Sequence, residues 1–257
     1  MPEAPKVGDW LMAVSYEEDK EDYIDSLIPN GNDVSLLAGR PGTGKTNLCL
    51  YMALCLATGV PFFGFATQRV KVTYLGFEGS RIKMASRLDK IMREFKNPGD
   101  YFHFELVKPT SQDRLGSKFT EHIHGSQVVI LDPLRYAVDG DFMRPQDASN
   151  FITKLKQIAI SEELTFVLCH HIRKPQGYVR IEPDDLYQLK GATEYVDAAT
   201  TVLLFEKTKL KPGPKTGNQE IESYTLYFAK TRDAINDIPP VKLHFNRDKL
   251  IYERLEK

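Results

Sequence analysis

The sequence predicts an α/β fold: a central, mostly parallel sheet flanked by helices, with antiparallel strands toward the C-terminus. Three observations predict it. Strand-like and helix-like segments alternate as far as residue 170. Two of the strand segments, QVVIL (127–131) and TFVLCH (165–170), are near-continuous apolar runs, the pattern of strands buried on both faces. Four strand-like segments then follow one another with polar breaks between them, which is how hairpins continuing a sheet read.

In chain order, residues 1–32 are acidic and polar and include the solvated run EEDKED; residues 1–24 read as a lead-in to a single domain over 25–257. VSLLA (34–38) is a short apolar strand. NLCLYMALCLA (47–57) is apolar nearly all round and helical in length, stopped by Thr58-Gly59 and Pro61. VKVTYLGF (70–77) mixes β-branched and aromatic residues and predicts a strand. SRIKMASRLDKIMREF (80–95) places Ile82, Met84-Ala85, Leu88, Ile91-Met92 and Phe95 at helical spacing, ended by Asn97-Pro98-Gly99. YFHFEL (101–106) predicts a strand and Gln146 to Ile160 a helix. TTVLLFE (200–206), YTLYFAK (224–230), VKLHF (241–245) and KLIYE (249–253) are the hairpin strands, with 207–220 as a long hairpin loop.

The 257 residues are 42% hydrophobic and 27% charged with a net charge of −1, so a nucleic-acid or membrane partner would have to be met by a local patch. Cys49, Cys55 and Cys169 lie among apolar residues without metal-ligand spacing and read as buried, reduced thiols. The longest apolar run, Leu48 to Ala57, is well short of the roughly 20 residues that span a bilayer. The opening MPEAPKVGDW has no apolar h-region, so a cytoplasmic protein without a membrane partner is expected.

The chemistry concentrates in one stretch. Gly39, Arg40, Pro41, Gly42, Thr43, Gly44, Lys45 and Thr46 fit G-x-x-x-x-G-K-[ST], between a predicted strand and a predicted helix, with Asn47 next in line. A backbone that wraps phosphate oxygens with its N–H groups needs glycine's freedom, and the helix N-terminus adds a favourable dipole. Lys45 can then reach the β- and γ-phosphates of a nucleotide, and the Thr46 hydroxyl can ligate Mg²⁺. Asp132 ends the run VVILD, at the sheet edge where α/β folds bind ligands, and suits the Mg²⁺ shell. Glu78 ends VTYLGFE and suits activation of water. His122-x-His124 could be a metal pair on a strand; without companion ligands in sequence it reads as a surface feature.

GRPGTGKT, the strand-terminal glutamate of YLGFEGS, VVILDPL and VLCHH together resemble a RecA-fold P-loop ATPase. Within that group the chain is most similar to the compact RepA-type hexameric helicases and related AAA-labelled ATPases, over roughly residues 25–253. The resemblance implies that Glu78 is the general base, that Asp132 is the Walker B acid, and that His170 or His171 is a γ-phosphate sensor. FAKTRDAINDIPPVKLHF is similar to the DnaB-type pattern in which Lys-x-Arg ends a strand, which implies that Lys230 and Arg232 reach a neighbouring subunit's nucleotide. RepA-type proteins carry an arginine just after the match at Val196-Asp197, where this chain has Ala199-Thr200-Thr201; that departure shifts weight to Arg232.

The same resemblance implies a homo-oligomer, a hexameric ring or filament, with the loops after Asp132 and His170 lining a channel. In the second loop Arg173, Lys174, Arg180 and Lys190 interleave with Tyr178 and Tyr187, a mix suited to single-stranded DNA. Glu182, Asp184 and Asp185 nearly cancel that charge. Two functions therefore stand side by side: a motor on single-stranded DNA (a helicase or a recombination or replication ATPase), or a KaiC-like switch acting on a protein partner. A small-molecule kinase fits less well, for no lid segment is evident.

Overall fold

The computed structural model describes residues 21–107, 115, 117–138, 140–172, 193–210, 221–231 and 238–255. Their strands form one nine-stranded sheet. The strands are β1 (Asp33–Gly39), β2 (Val72–Gly76), β3 (Phe102–Leu106), β4 (Val128–Asp132), β5 (Thr165–His171), β6 (Thr201–Leu210), β7 (Ile221–Thr231), β8 (Val241–Asn246) and β9 (Ile251–Arg254). Their spatial order is β3-β2-β4-β5-β1-β6-β7-β8-β9. The first six in that order are mutually parallel, and β7, β8 and β9 join as antiparallel hairpins. The parallel half with its antiparallel extension matches the architecture expected from the apolar runs and the hairpin pattern.

Helices cover both faces, and the parity of each strand assigns its side chains. On one face lie α1 (Lys45–Thr58) and α2 (Arg81–Met92), packed on Leu37, Val72, Tyr74, Ile130, Val167 and Cys169. On the other lie α3 (Ser117–Ile123), α4 (Pro145–Ser161) and α5 (Thr193–Ala198), packed on Leu36, Leu75, Leu131, Phe166 and Leu168. The all-round apolar character of α1 follows from its position, since ten of its residues are buried. Gly59 stops it at φ +73, with its N–H on the Cys55 carbonyl.

Several expectations shift. α2 ends at Met92, short of Phe95, and Ile82, predicted to face the core, is 82% exposed. β6 extends into the predicted loop: Lys207 pairs with Tyr224 and Leu210 with Ile221, so 207–210 are strand. The 21–32 segment contributes Tyr23, Ile24, Leu27 and Ile28 to the core, its turn held by the Ile24–Ile28 bridge. α3 and α5 are short helices that no periodicity announced. All three cysteines are buried and free, as read from their apolar surroundings.

The antiparallel half curls. β7 carries a bulge opposite Val202 and Leu203, which strengthens twist. The sheet edge wraps over α1, so that Tyr252 of β9 reaches the loop after β1 and Arg254 donates to the Phe63 carbonyl at 2.9 Å.

Candidate active site

β1 ends where its neighbours leave no room for a side chain. A Cβ on Gly39 would lie 2.5 Å from the Phe205 carbonyl on β6. The chain then turns through Gly42 (φ +78) and Gly44 (φ +88), left-handed values natural to glycine, and enters α1 at Lys45. The first turn of α1 holds no acidic residue, so the positive end of its dipole is not neutralised locally. Thr43 is buried and closes the loop through Oγ1 to the Arg40 carbonyl at 2.9 Å.

Lys45 lies 3% exposed beneath this loop. Its ammonium donates to the Gly39 and Arg40 carbonyls at 2.7 and 2.9 Å. Burial draws its pKa down, while nearby Cys169, Cys49, Asp132 and Glu78 act in the opposite direction. Tyr252, which the sequence did not single out, caps the loop from the far strand. Its hydroxyl lies 3.3 Å from the Thr43 carbonyl and 3.2 Å from that of Gly44. β6, β7 and β8 lie between β1 and β9 in the sheet, so only the tertiary curl brings this residue to the loop.

Asp132 sits at the carboxyl end of β4, 5% exposed. Its Oδ2 accepts from the Tyr74 hydroxyl at 2.5 Å. Burial and the facing Asp132 push the Tyr74 pKa well up, so the phenol stays a donor. The Asp132 carbonyl accepts the Phe77 N–H at 2.8 Å, which ties the end of β4 to the residue before Glu78. Glu78 itself is exposed, two residues past β2, and pairs with Arg135 at 2.6 Å. Arg135 is a second residue the sequence reading passed over.

Strand parity separates the two histidines. His170 points to the α4 face, 2% exposed, with its ring 6.1 Å from Phe142 and 5.8 Å from Tyr195. Burial first, then His171 and Lys45, lower its pKa to about 4. His171 pairs with Gly39 and faces the loop side. It is half-buried, and its Nδ1 has no hydrogen-bond partner among the described residues. Burial and then Lys45 lower its pKa, while Asp132 and Glu78 oppose them. Of the pair, His171 is the one that shares a face with Lys45.

Lys230 lies elsewhere. It pairs with Val202, level with Leu36 rather than with Gly39, and its ammonium donates to the Val196 and Asp197 carbonyls at 2.8 and 3.3 Å, at the end of α5. Arg232, Arg173, Lys174, Arg180 and Lys190 lie outside the described residues. The His122–His124 pair is on no strand: His122 lies in the last turn of α3 and His124 just beyond it. They turn to different carboxylates, His122 to Glu105 at 2.8 Å and His124 to Glu162 at 3.4 Å. Among the described residues no cluster of three or more ligands could hold a metal ion.

Residues 7–177 match the family model described as an AAA domain. The chain belongs to this family. A solved structure of another protein's ATPase domain resembles this AAA domain with a TM-score of 0.68 at 15% identity, covering 99% of this chain and 100% of that one. That likeness shows the fold, a RecA-like P-loop fold. No curated protein matches in sequence. Among the described residues of the AAA domain, no helix is long and apolar enough to cross a membrane.

The side chains fit a magnesium-bound triphosphate. The glycine loop leaves open space at Gly42, where an added Cβ would meet nothing within 4 Å. Lys45 has an ammonium already bonded to carbonyls of that loop. Thr46 lies in the first turn of α1, and Asp132 supplies a carboxylate with one oxygen anchored by Tyr74.

Proposed function

We propose that this AAA domain hydrolyses ATP with Mg²⁺, as a RecA-fold motor acting on single-stranded DNA within a homo-oligomer. The observation that carries the reading is the meeting of Lys45, Glu78, Asp132 and His171 at one sheet edge beside the glycine loop. Residues 39–47 hold the phosphates through loop N–H groups and the N-terminus of α1. Lys45 exchanges its two carbonyl partners for phosphate oxygens. Thr46 and Asp132 hold Mg²⁺, which supplies neutralisation of charge on the phosphate oxygens. Glu78 takes the proton of the attacking water. His171 donates an N–H to a γ-phosphate oxygen through the Nδ1 that has no partner among the described residues, while His170 packs the opposite layer.

Lys230 and Arg232 complete the site of a neighbouring subunit in this reading. The position of Lys230 supports it: the residue lies level with Leu36, away from its own loop, as head-to-tail assembly into a hexameric ring or filament requires. Its bonds to the end of α5 then hold it until a neighbour docks. Arg173, Lys174, Arg180 and Lys190 are the residues proposed to meet DNA phosphates. The carboxylates of Glu182, Asp184 and Asp185 in the same loop favour the second reading, a KaiC-like switch acting on a protein.

The test is ATP turnover with and without single-stranded DNA, read across salt. The motor predicts stimulation that fades steeply as salt rises. No stimulation at low salt, with turnover intact, leaves the switch. Glu78→Gln should abolish turnover and retain ATP binding; turnover at the wild-type rate would remove Glu78 as the base.

A further inference from the structure

Arg135 belongs neither to the phosphate loop nor to the proposed magnesium ligands, yet it grips the proposed base. It is the middle residue of the short 3₁₀ helix Leu134–Tyr136, which begins two residues after Asp132. That turn is fixed from below. Leu134, Ala137 and Val138 are fully buried, and the N–H groups of Tyr136 and Ala137 return to the Pro133 and Leu134 carbonyls. The other end of the contact is fixed as well. The Phe77 N–H bonds the Asp132 carbonyl at 2.8 Å, and the Gly76 carbonyl accepts from Val107 at 2.9 Å. Both side chains therefore start from anchored backbone.

Arg135 Nη2 donates to Glu78 Oε1 at 2.6 Å. The same guanidinium lies 4.4 Å over the Tyr136 ring and bonds the Tyr136 hydroxyl. Ring and hydroxyl restrict the arginine's rotamers and aim its fork at one oxygen of Glu78. The other oxygen has no hydrogen-bond partner among the described residues. With side-chain exposures of 43% and 45%, this is a surface pair, and such pairs add little to fold stability. A pair so placed between the base and the turn after Asp132 has a task other than holding the fold.

We infer that Arg135 is the positioning residue of Glu78: it holds the carboxylate so that its second oxygen faces the attacking water. The inference rests on the reading of Glu78 as general base. Correct orientation of a base is a large part of its effect, so its loss appears in kcat and spares ATP binding.

The test compares Arg135→Ala, Arg135→Lys and Glu78→Gln in the full chain, by steady-state ATP turnover, ATP-analogue binding and thermal melting. Arg135→Ala should lower kcat by about tenfold, with KM for ATP within about twofold. Arg135→Lys should recover part of the rate. Raising salt should narrow the gap between wild type and Arg135→Ala, because an exposed pair is screened. In a Glu78→Gln background, Arg135→Ala should have no further effect. A raised KM at unchanged kcat would make Arg135 a phosphate ligand instead. A faster Arg135→Ala variant would make it a restraint on the base. Equal losses of rate and melting temperature in both arginine variants would make it a structural prop. Wild-type turnover by Glu78→Gln removes the base assignment itself; an inactive Glu78→Gln beside an unimpaired Arg135→Ala overturns only the positioning role.

Discussion

Alanine at Gly44 and at Gly42 should differ sharply, although both glycines adopt left-handed φ values, +88 and +78. For either, an L-residue costs about 1–2 kcal/mol in backbone strain alone. Nothing stands within 4 Å of a Cβ at Gly42, so Gly42→Ala should cost no more than that. A Cβ at Gly44 runs into the Tyr252 hydroxyl. Tyr252 is 2% exposed and boxed by Phe205, Tyr224 and Phe245 at 5.0, 5.1 and 4.9 Å between ring centres, so it cannot swing aside. Overpacking of this kind adds about 1–3 kcal/mol, for a total of about 3 kcal/mol at Gly44. Tyr252→Phe removes the colliding atom and leaves the ring carbon at 3.4 Å, an ordinary contact. It should itself cost about 1 kcal/mol for the lost hydrogen bonding. The double variant Gly44→Ala/Tyr252→Phe should then recover about 1–3 kcal/mol of coupling. Urea denaturation of the nucleotide-free protein measures all four. Equal costs at Gly42 and Gly44, or additive behaviour in the double variant, would refute the reasoning.

Other consequences are as direct. His170 is held neutral, with its pKa drawn from 6.5 to about 4. The unfolded chain takes up the proton first, so this contribution is intact above pH 6.5 and is lost as pH falls toward 4, on the order of 3 kcal/mol. His170→Gln should flatten that part of the stability–pH curve; an unchanged slope sinks the assignment. Tyr74→Phe leaves buried Asp132 with one donor fewer and should cost about 1–3 kcal/mol by urea denaturation. A loss below about 0.5 kcal/mol would mean that the bond is not needed. Leu54→Ala empties fully buried space in α1 and should cost about 2–5 kcal/mol, whereas Ile82→Ala, on an exposed site, should stay within about 0.5 kcal/mol. A large loss at Ile82 in the isolated chain would overturn its exposed placement.

The parallel strands were legible because burial on both faces leaves an unbroken apolar run, as in Val128–Asp132. The phosphate loop was legible because its glycines answer a local backbone demand. What escaped the sequence depends on partners far along the chain. Ile82 stands two residues before Met84 and nine before Ile91, the two buried positions of α2, so it falls on the opposite, solvent side of the helix although it is apolar. Which histidine faces Lys45 is a matter of strand parity: His171 pairs with Gly39 and His170 with Ala38. Tyr252 and Arg135 reach the site through the curl of the sheet and a turn after Asp132, neither of which has a periodic signature. α3 and α5 are too short for a helical period to declare itself.

The place of β1 in the middle of the sheet has a consequence for how the molecule is made. Its register partners are Thr165 through His171 on one side and Thr201 through Phe205 on the other. The strand that carries the glycine loop is thus synthesised more than a hundred residues before either of the strands that flank it. Closing such distant pairings is slow, and until then an apolar strand edge stays open to other chains. A nascent fragment ending before Thr165 has the whole glycine motif and neither of the strands that flank β1. Nucleotide capture should therefore begin abruptly with chain length, once β5 and β6 have closed around β1.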